Sequence, residues 1–237
     1  MLIDNRNDAF GEAKTVAGFI RARKGSALPK SSPYSAAFTG CGFRLDETVA
    51  ILPILQAPDA EARLQAEDED NSLLLLGKAK TRSRNIVEIR RRYNAVPRAF
   101  WDWFSLLPAE SQKCALFFVL LKTYHLLYDF QLNVVLPQGR SADQTLTKSN
   151  LMMRLHEIAV HDDFVDGWSD ETKSRVCSGA LSFLRDAGIL ERKTDALHPP
   201  QMGDGEFAHF ITIGEGWFLE ACLLQPFEIS RIKEGLA

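Results

Sequence analysis

The segment from Glu110 to Leu136 constrains this chain most. Ala115, Phe118, Leu121 or Lys122, His125, and Tyr128 or Asp129 fall on successive turns of a helix there, and apolar residues occupy nearly every other side as well. A helix that is apolar all round must be enclosed by other elements, so this stretch is expected to be the central buried helix of a globular protein. It does not read as a membrane span. Its most apolar run, Cys114 to Leu121, is short and is followed at once by Lys122, His125 and Asp129. With 46% hydrophobic and 25% charged residues, the chain of 237 has material for a sizeable core, as one large domain or two small ones. His125 and Asp129 stand four apart, a spacing that allows a pair within the helix.

The stretch KAKTRSRNIVEIRRRYNAVPR, Lys78 to Arg98, is the other strong signal. It holds eight Lys or Arg against the single acid Glu88, a local charge of +7 in a chain of −3. A basic island in an otherwise acidic protein points to a phosphate partner. At 100° per residue Ile86, Ile89 and Tyr93 share one sector, while Arg84 and Arg91 point the opposite way with Arg92 placed near them. Thr81 or Ser83 is the expected cap, and Pro97 ends the helix. The alternative is a merely solvated face, neutralised by the acidic run Glu67 to Asp70 just before it.

Along the chain, residues 1–33 are slightly basic and are expected to form a mobile arm with one short helix. After a Gly-Cys-Gly break, Asp46 and Glu47 open an apolar helix. A second short helix runs from Pro58 to Ala66, and Asn71 or Ser72 caps a third piece, SLLLL, that stops at Gly77. Short helix, turn and basic helix together fit a helix-turn-helix unit. The aromatic block Phe100, Trp101, Trp103 and Phe104 has the spacing of core packing, with stacking on bases as the other reading. PQGRSADQTLTKSN, residues 137–150, is the candidate linker. It would separate an N-terminal helical domain, 34–136, from a C-terminal domain, 151–237.

The last third begins with a helix from Leu151 to Val160. Ser169, followed by Asp170 and Glu171, caps a second helix that ends near Ala187 and Gly188. This helix buries Val176, Ala180, Phe183 and Leu184 and turns Arg175, Ser178, Ser182 and Arg185 outward. Ile189 to Thr194 and Glu206 to Ile213 then alternate as strands do, with Phe207, His209, Ile211 and Ile213 on one face. Helix, strand, loop, strand is the pattern of a winged helix, and small polar residues with two arginines suit entry into a groove. Docking of a protein partner on this surface is the competing reading. A final helix from Gly216 to Leu224 closes the expected domain.

Motifs for catalysis are missing from the sequence. There is no phosphate-cradling glycine loop and no nucleophile elbow. His156-Glu157 and His161 imitate a zinc-protease helix, but the second histidine comes five residues on, so the imidazoles diverge by roughly 140°. Asp162, Asp163 and Asp166 read as solvated loop acids. Cys41, Cys114, Cys177 and Cys222 have neither zinc nor disulfide spacing, which fits a reducing compartment. The first residues, MLIDNRNDAF, carry no signal core, and a cytoplasmic protein is expected.

Four blocks, in this order, resemble a known family: YSAAFTGCGFRLDETVAIL, the Asn71–Arg92 segment running into IRRRY, QKCALFFVLLKTYHLLYDFQLNVVL and WSDETKSRVCSGALSFLRDAGIL. Together they look like BrxA, a small core component of bacteriophage-exclusion (BREX) defence systems, over roughly residues 34 to 192. The resemblance implies a mainly α protein with two helix-turn-helix elements that binds DNA without catalysing a reaction. It also implies partners: a methyltransferase, an ATPase and a phosphatase-like protein. The acidic run Glu67 to Asp70 departs from the pattern and leaves the register of the first element open.

The expectation is therefore a globular helical bundle with two helix-turn-helix-like elements, the C-terminal one winged with a short β-hairpin. It would be a non-enzymatic component, without cofactor or metal, that contacts double-stranded DNA. The first candidate DNA-binding set is Lys78, Lys80, Arg82, Arg84, Arg91 and Arg92; the second is Lys173, Arg175, Ser178 and Arg185. A monomer off the membrane is favoured. The alternatives are a protein-interaction scaffold within the defence complex and an RNA-binding helical bundle.

Overall fold

The structure is a computed structural model, and it describes residues 32–236. The expected N-terminal arm lies almost wholly outside the described residues. The protein is mainly helical. A 3-10 turn, Ala37–Gly40, precedes α1 (Leu45–Leu55), α2 (Ala60–Asp70), α3 (Ala79–Tyr93), α4 (Arg98–Phe104) and α5 (Ala109–Thr123). Then come α6 (His125–Phe130), a π-helical turn (Gln131–Val135) and α7 (Leu136–Gly139). The chain continues with α8 (Lys148–Ala159), α9 (Asp163–Asp166) and α10 (Asp170–Asp186), and closes with α11 (Asp204–Thr212), α12 (Trp217–Ala221) and α13 (Pro226–Glu234).

Burial explains the arrangement. On α5 every residue from Cys114 to Leu121 is buried, as an all-round apolar helix requires. Its surround is one apolar core that begins at Phe38 and continues to Ile232, drawing on both halves of the chain. Phe100, Trp101 and Phe104 sit in that core, so the aromatic block packs helices together. Within 137–150, Leu146 is fully buried, and the segment is tied to 195–197 by bonds from Leu146 N to Asp195 O (2.9 Å) and from Leu197 N to Gln144 O (2.7 Å). A smaller satellite core joins Ile51, Ile54 and Leu55 of α1, Leu64 of α2, Leu74, and Ile86 and Ile89 of α3.

Two expectations about elements are corrected. The long helix is interrupted at Tyr124, whose backbone is extended (φ −121°, ψ 103°). That kink carries the tyrosine hydroxyl to Glu88 (2.6 Å) and to Arg92 (3.0 Å), so a tertiary contact overrides helix continuity. Further along the same run, Asp129 pairs with Arg154 of α8 (2.7 and 2.9 Å) and not with His125, whose ring lies against Tyr34.

The expected wing is absent as well. Among the described residues there is no strand, only the isolated bridges Leu190–Leu197 and Thr145–Ala196, and neither joins 189–194 to 206–213. Glu206 to Ile213 lies largely in α11. The deciding interaction is at its start, where the Glu206 carboxylate accepts the Gly203 N–H at 2.8 Å and satisfies a donor that the helix leaves free. Phe207 and Phe210, three apart, are then buried on one face.

Candidate nucleic-acid interface

The basic segment forms α3 as its periodicity requires, starting one turn earlier than Thr81 or Ser83 would set it, with Lys78 at the N-cap. Ser83 instead turns its hydroxyl to the Asp68 carboxylate of α2 at 2.8 Å. Asn85, Ile86, Ile89 and Arg92 are buried, and Arg82 and Tyr93 are partly covered beside them. Lys80, Arg84 and Arg91 face out, within a stripe roughly 40° wide and about 16 Å long.

The candidate residues divide by what already holds them. Arg92 is fully buried and is removed from the DNA-contacting set. Its Nη1 donates to Phe43 O (2.8 Å), its Nη2 to Gly42 O (2.7 Å) and its Nε to the Tyr124 hydroxyl (3.0 Å). The reason is angular. Arg92 lies roughly 60° from Ile89 around the helix, on the inward side, while Arg91 lies across from it. Burial pushes the Tyr124 phenol up, against the opposing pull of Arg92, so the hydroxyl stays neutral and bridges Arg92 to Glu88. Arg82 is spoken for too: its Nε donates to Asp68 O at 2.6 Å, and its side chain is mostly covered.

The acidic run therefore neutralises part of α3, but only the part that faces α2. Arg90 pairs with Glu61 at 2.7 Å, and Arg91 sits 3.5 Å from Glu88, whose oxygen is already engaged by Tyr124. Lys78, Lys80 and Arg84 have no carboxylate within ion-pairing distance among the described residues.

On α10, Ser169 caps the helix as expected, its hydroxyl accepting from Thr172 N at 3.2 Å. Lys173 is buried, with Nζ directed to Asp166 O at 3.2 Å, and Arg185 is half-covered and paired with Asp195 at 2.6 Å. Neither is free to reach a groove. Arg175 is exposed but pairs with Glu171, one turn earlier; Ser178 and Ser182 are exposed. The two candidate helices thus differ in kind: α3 presents unmatched positive charge, and α10 a largely neutral polar face.

The Gly-Cys-Gly segment, not singled out as part of a site by its sequence, links them. A Cβ on Gly40 would lie 2.2 Å from Arg84 Nη2, so the glycine lets the guanidinium lie flat across the backbone. On the other side a Cβ on Gly179 of α10 would meet Phe38 at 3.3 Å and Thr39 at 3.5 Å. The strip Phe38–Arg44 therefore runs between α3 and α10, and a cleft of about 540 Å³ opens beside it, lined by Arg44, Lys113, Arg185 and Arg192 together with Asp46, Glu47 and Asp186. The signal for it in the sequence is the pair of glycines flanking Cys41.

Other chemistry is sparse. Among the described residues no cluster of three or more His, Cys, Asp or Glu side chains has metal-binding geometry. Asp162 caps α9 by accepting from Val165 N at 3.0 Å. All four cysteines are buried thiols, Cys114 and Cys222 with sulfurs 3.7 Å apart. No helix among the described residues is long and apolar enough to cross a membrane.

Comparison with known proteins gives a consistent picture. A crystal structure of an uncharacterized protein from Magnetospirillum magneticum superposes with a TM-score of 0.66 over 81% of this chain and 98% of that one. At 20% identity, this likeness speaks for the fold alone. No curated protein matches the chain. The family model for BrxA matches residues 32–211, most of the chain and nearly all of its described part. The protein therefore belongs to the BrxA family, and so to the components of bacteriophage-exclusion (BREX) phage-defence systems.

Proposed function

We propose that this protein is a non-catalytic, double-stranded DNA-binding component of its defence system, with α3 as the principal contacting helix. One observation carries the reading: the stripe Lys80, Arg84 and Arg91, with Lys78 at its head, stays outward, while the α2 acids Asp68 and Glu61 engage Arg82 and Arg90. Outward cations spaced along about 16 Å of one helix, of which only Arg91 has a carboxylate partner, suit a row of phosphates. In this reading α2, the turn after Asn71 and α3 form the first helix-turn-helix. The second comprises α8, α9 and α10 and contributes polar contacts from Arg175 and Ser178. The protein would act as a cytoplasmic monomer beside the system's methyltransferase, ATPase and phosphatase-like components. The scaffold reading loses its first support, because the aromatic block at 100–104 is largely buried.

The test is fluorescence anisotropy of a labelled random duplex at two salt concentrations, for the wild type and for Arg84→Glu/Arg91→Glu. Wild-type affinity is expected to fall steeply with salt, with a log–log slope of about −0.9 per phosphate neutralised. The variant is expected to lose most binding while keeping its helical circular dichroism. Equal binding by both proteins, or wild-type affinity indifferent to salt, would overturn the reading. Preference for an RNA competitor over duplex DNA would redirect it.

A further inference from the structure

Between α2 and α3 the chain makes a knuckle, Ser72–Gly77, that is built more heavily than a connection requires. Glu67 is buried and turns its carboxylate into the knuckle, where it accepts from Leu74 N (2.8 Å), Ser72 Oγ (2.8 Å), Leu73 N (3.1 Å) and Ser72 N (3.2 Å). Asn71, at φ 53°, clasps the far side: its Oδ1 accepts from Leu76 N at 2.9 Å and its Nδ2 donates to Leu76 O at 3.2 Å.

This framework holds the leucines in different settings. Leu74 enters the satellite core, while Leu73 and Leu75 stand 46% and 75% exposed. Leu75 does so at φ 49°, in the left-handed region. A branched side chain there costs on the order of 1–2 kcal/mol, which glycine avoids and asparagine largely avoids. An ordinary turn needs neither that strain nor that exposed apolar surface. Immediately after the knuckle come Lys78, Lys80 and Arg84, the cations without a carboxylate partner among the described residues.

An apolar point beside a row of unmatched cations complements a partner with an anionic edge and an apolar interior. A duplex has this arrangement, with phosphates outside and stacked bases within. We propose that the Leu73–Leu75 knuckle is an apolar wedge, with Leu75 entering a base step while Lys78 and Lys80 hold the neighbouring phosphates. Leu75 and Lys78 are three positions apart, at most about 10 Å of chain, which lets both act on one strand. The proposal rests on the DNA-binding reading above and adds an apolar contact to it.

The test compares the full-length wild type with Leu75→Asn, which accepts the left-handed backbone but removes the apolar tip, and with Leu75→Gly as a second variant. Each is measured for urea midpoint, for duplex affinity by anisotropy across salt, and for fluorescence of 2-aminopurine placed at flexible TA steps. Expected are unchanged or raised urea midpoints, a loss of affinity of about tenfold, an unchanged salt slope and loss of the 2-aminopurine brightening. If the wild type binds duplex and both variants bind equally well, the wedge is wrong and the DNA-binding reading stands. If the wild type binds no duplex, the reading falls and takes the wedge with it. Leucine-dependent binding to phosphatidylserine vesicles, with duplex affinity unaltered by the substitution, assigns the knuckle to a lipid surface and overturns the proposal.

Discussion

Neighbouring arginines on α3 do different jobs, and the difference is measurable. Arg92 satisfies two backbone carbonyls and a buried phenol, whereas Arg91 and Arg84 face solvent. Arg92→Met keeps the volume but leaves Gly42 O and Phe43 O without their donors. The expected cost is about 3 kcal/mol, read from urea unfolding. Arg84→Ala and Arg91→Ala should each change stability by no more than about 0.5 kcal/mol while weakening duplex binding. A stable Arg92→Met with reduced affinity would return Arg92 to the contacting set. Glu67 supplies a second test, in pH. Burial raises its carboxyl, but the bonds from Leu74, Ser72 and Leu73 outweigh burial and hold it below its ordinary value of 4.5. A group lowered in the folded state stabilises fully above its unfolded value, and that contribution is lost as pH falls through the folded value. The gap in urea midpoint between wild type and Glu67→Gln should therefore be widest at neutral pH and close as pH drops below the carboxylate range. A gap that stays constant with pH would show that Glu67 contributes no charge-dependent stability.

Among the elements, α10 was legible because its signals are local: a serine cap, acids in the first turn, and apolar residues at helical spacing. The stripe on α3 was legible for the same reason, and Arg92 was misplaced because one residue, about 100°, separates outward from inward there. The break at Tyr124 was not legible, since it depends on Glu88 and Arg92, more than thirty residues away. Nor was α11. Phe207, His209, Ile211 and Ile213 alternate as a strand would, while Phe207 and Phe210 also satisfy a helix, and the choice is made by the cap from Glu206 to Gly203. A proline at position 208 separates the two structures. Within α11 it removes a backbone donor and crowds the preceding turn, at a cost of about 3 kcal/mol or more. On the open edge of a hairpin it would be tolerated. A large drop in thermal midpoint for Ala208→Pro is expected, and an unchanged midpoint would restore the hairpin.

At the scale of the molecule, the contacting helix belongs to the smaller of two apolar cores. The satellite core of α1, α2 and α3 rests on seven buried residues, and its links to the main core include Leu52, Tyr93, the Glu88–Tyr124 bond and the buried Arg92. Opening free energy follows local burial, so the amides of α3 should exchange through a sub-global opening of lower free energy than those of α5, whose residues from Cys114 to Leu121 are all enclosed. Native-state hydrogen exchange in low denaturant measures both. Arg92→Met should widen the separation, because it cuts a polar link and leaves the apolar ones. A ligand that binds the folded α1–α3 unit stabilises it by mass action, so saturating duplex should raise protection in α3 by more than in α5. A single exchange isotherm covering α3 and α5, unmoved by Arg92→Met, would mean that the two cores open together. Duplex-induced protection confined to α10 would move the principal contact from the charged helix to the neutral one.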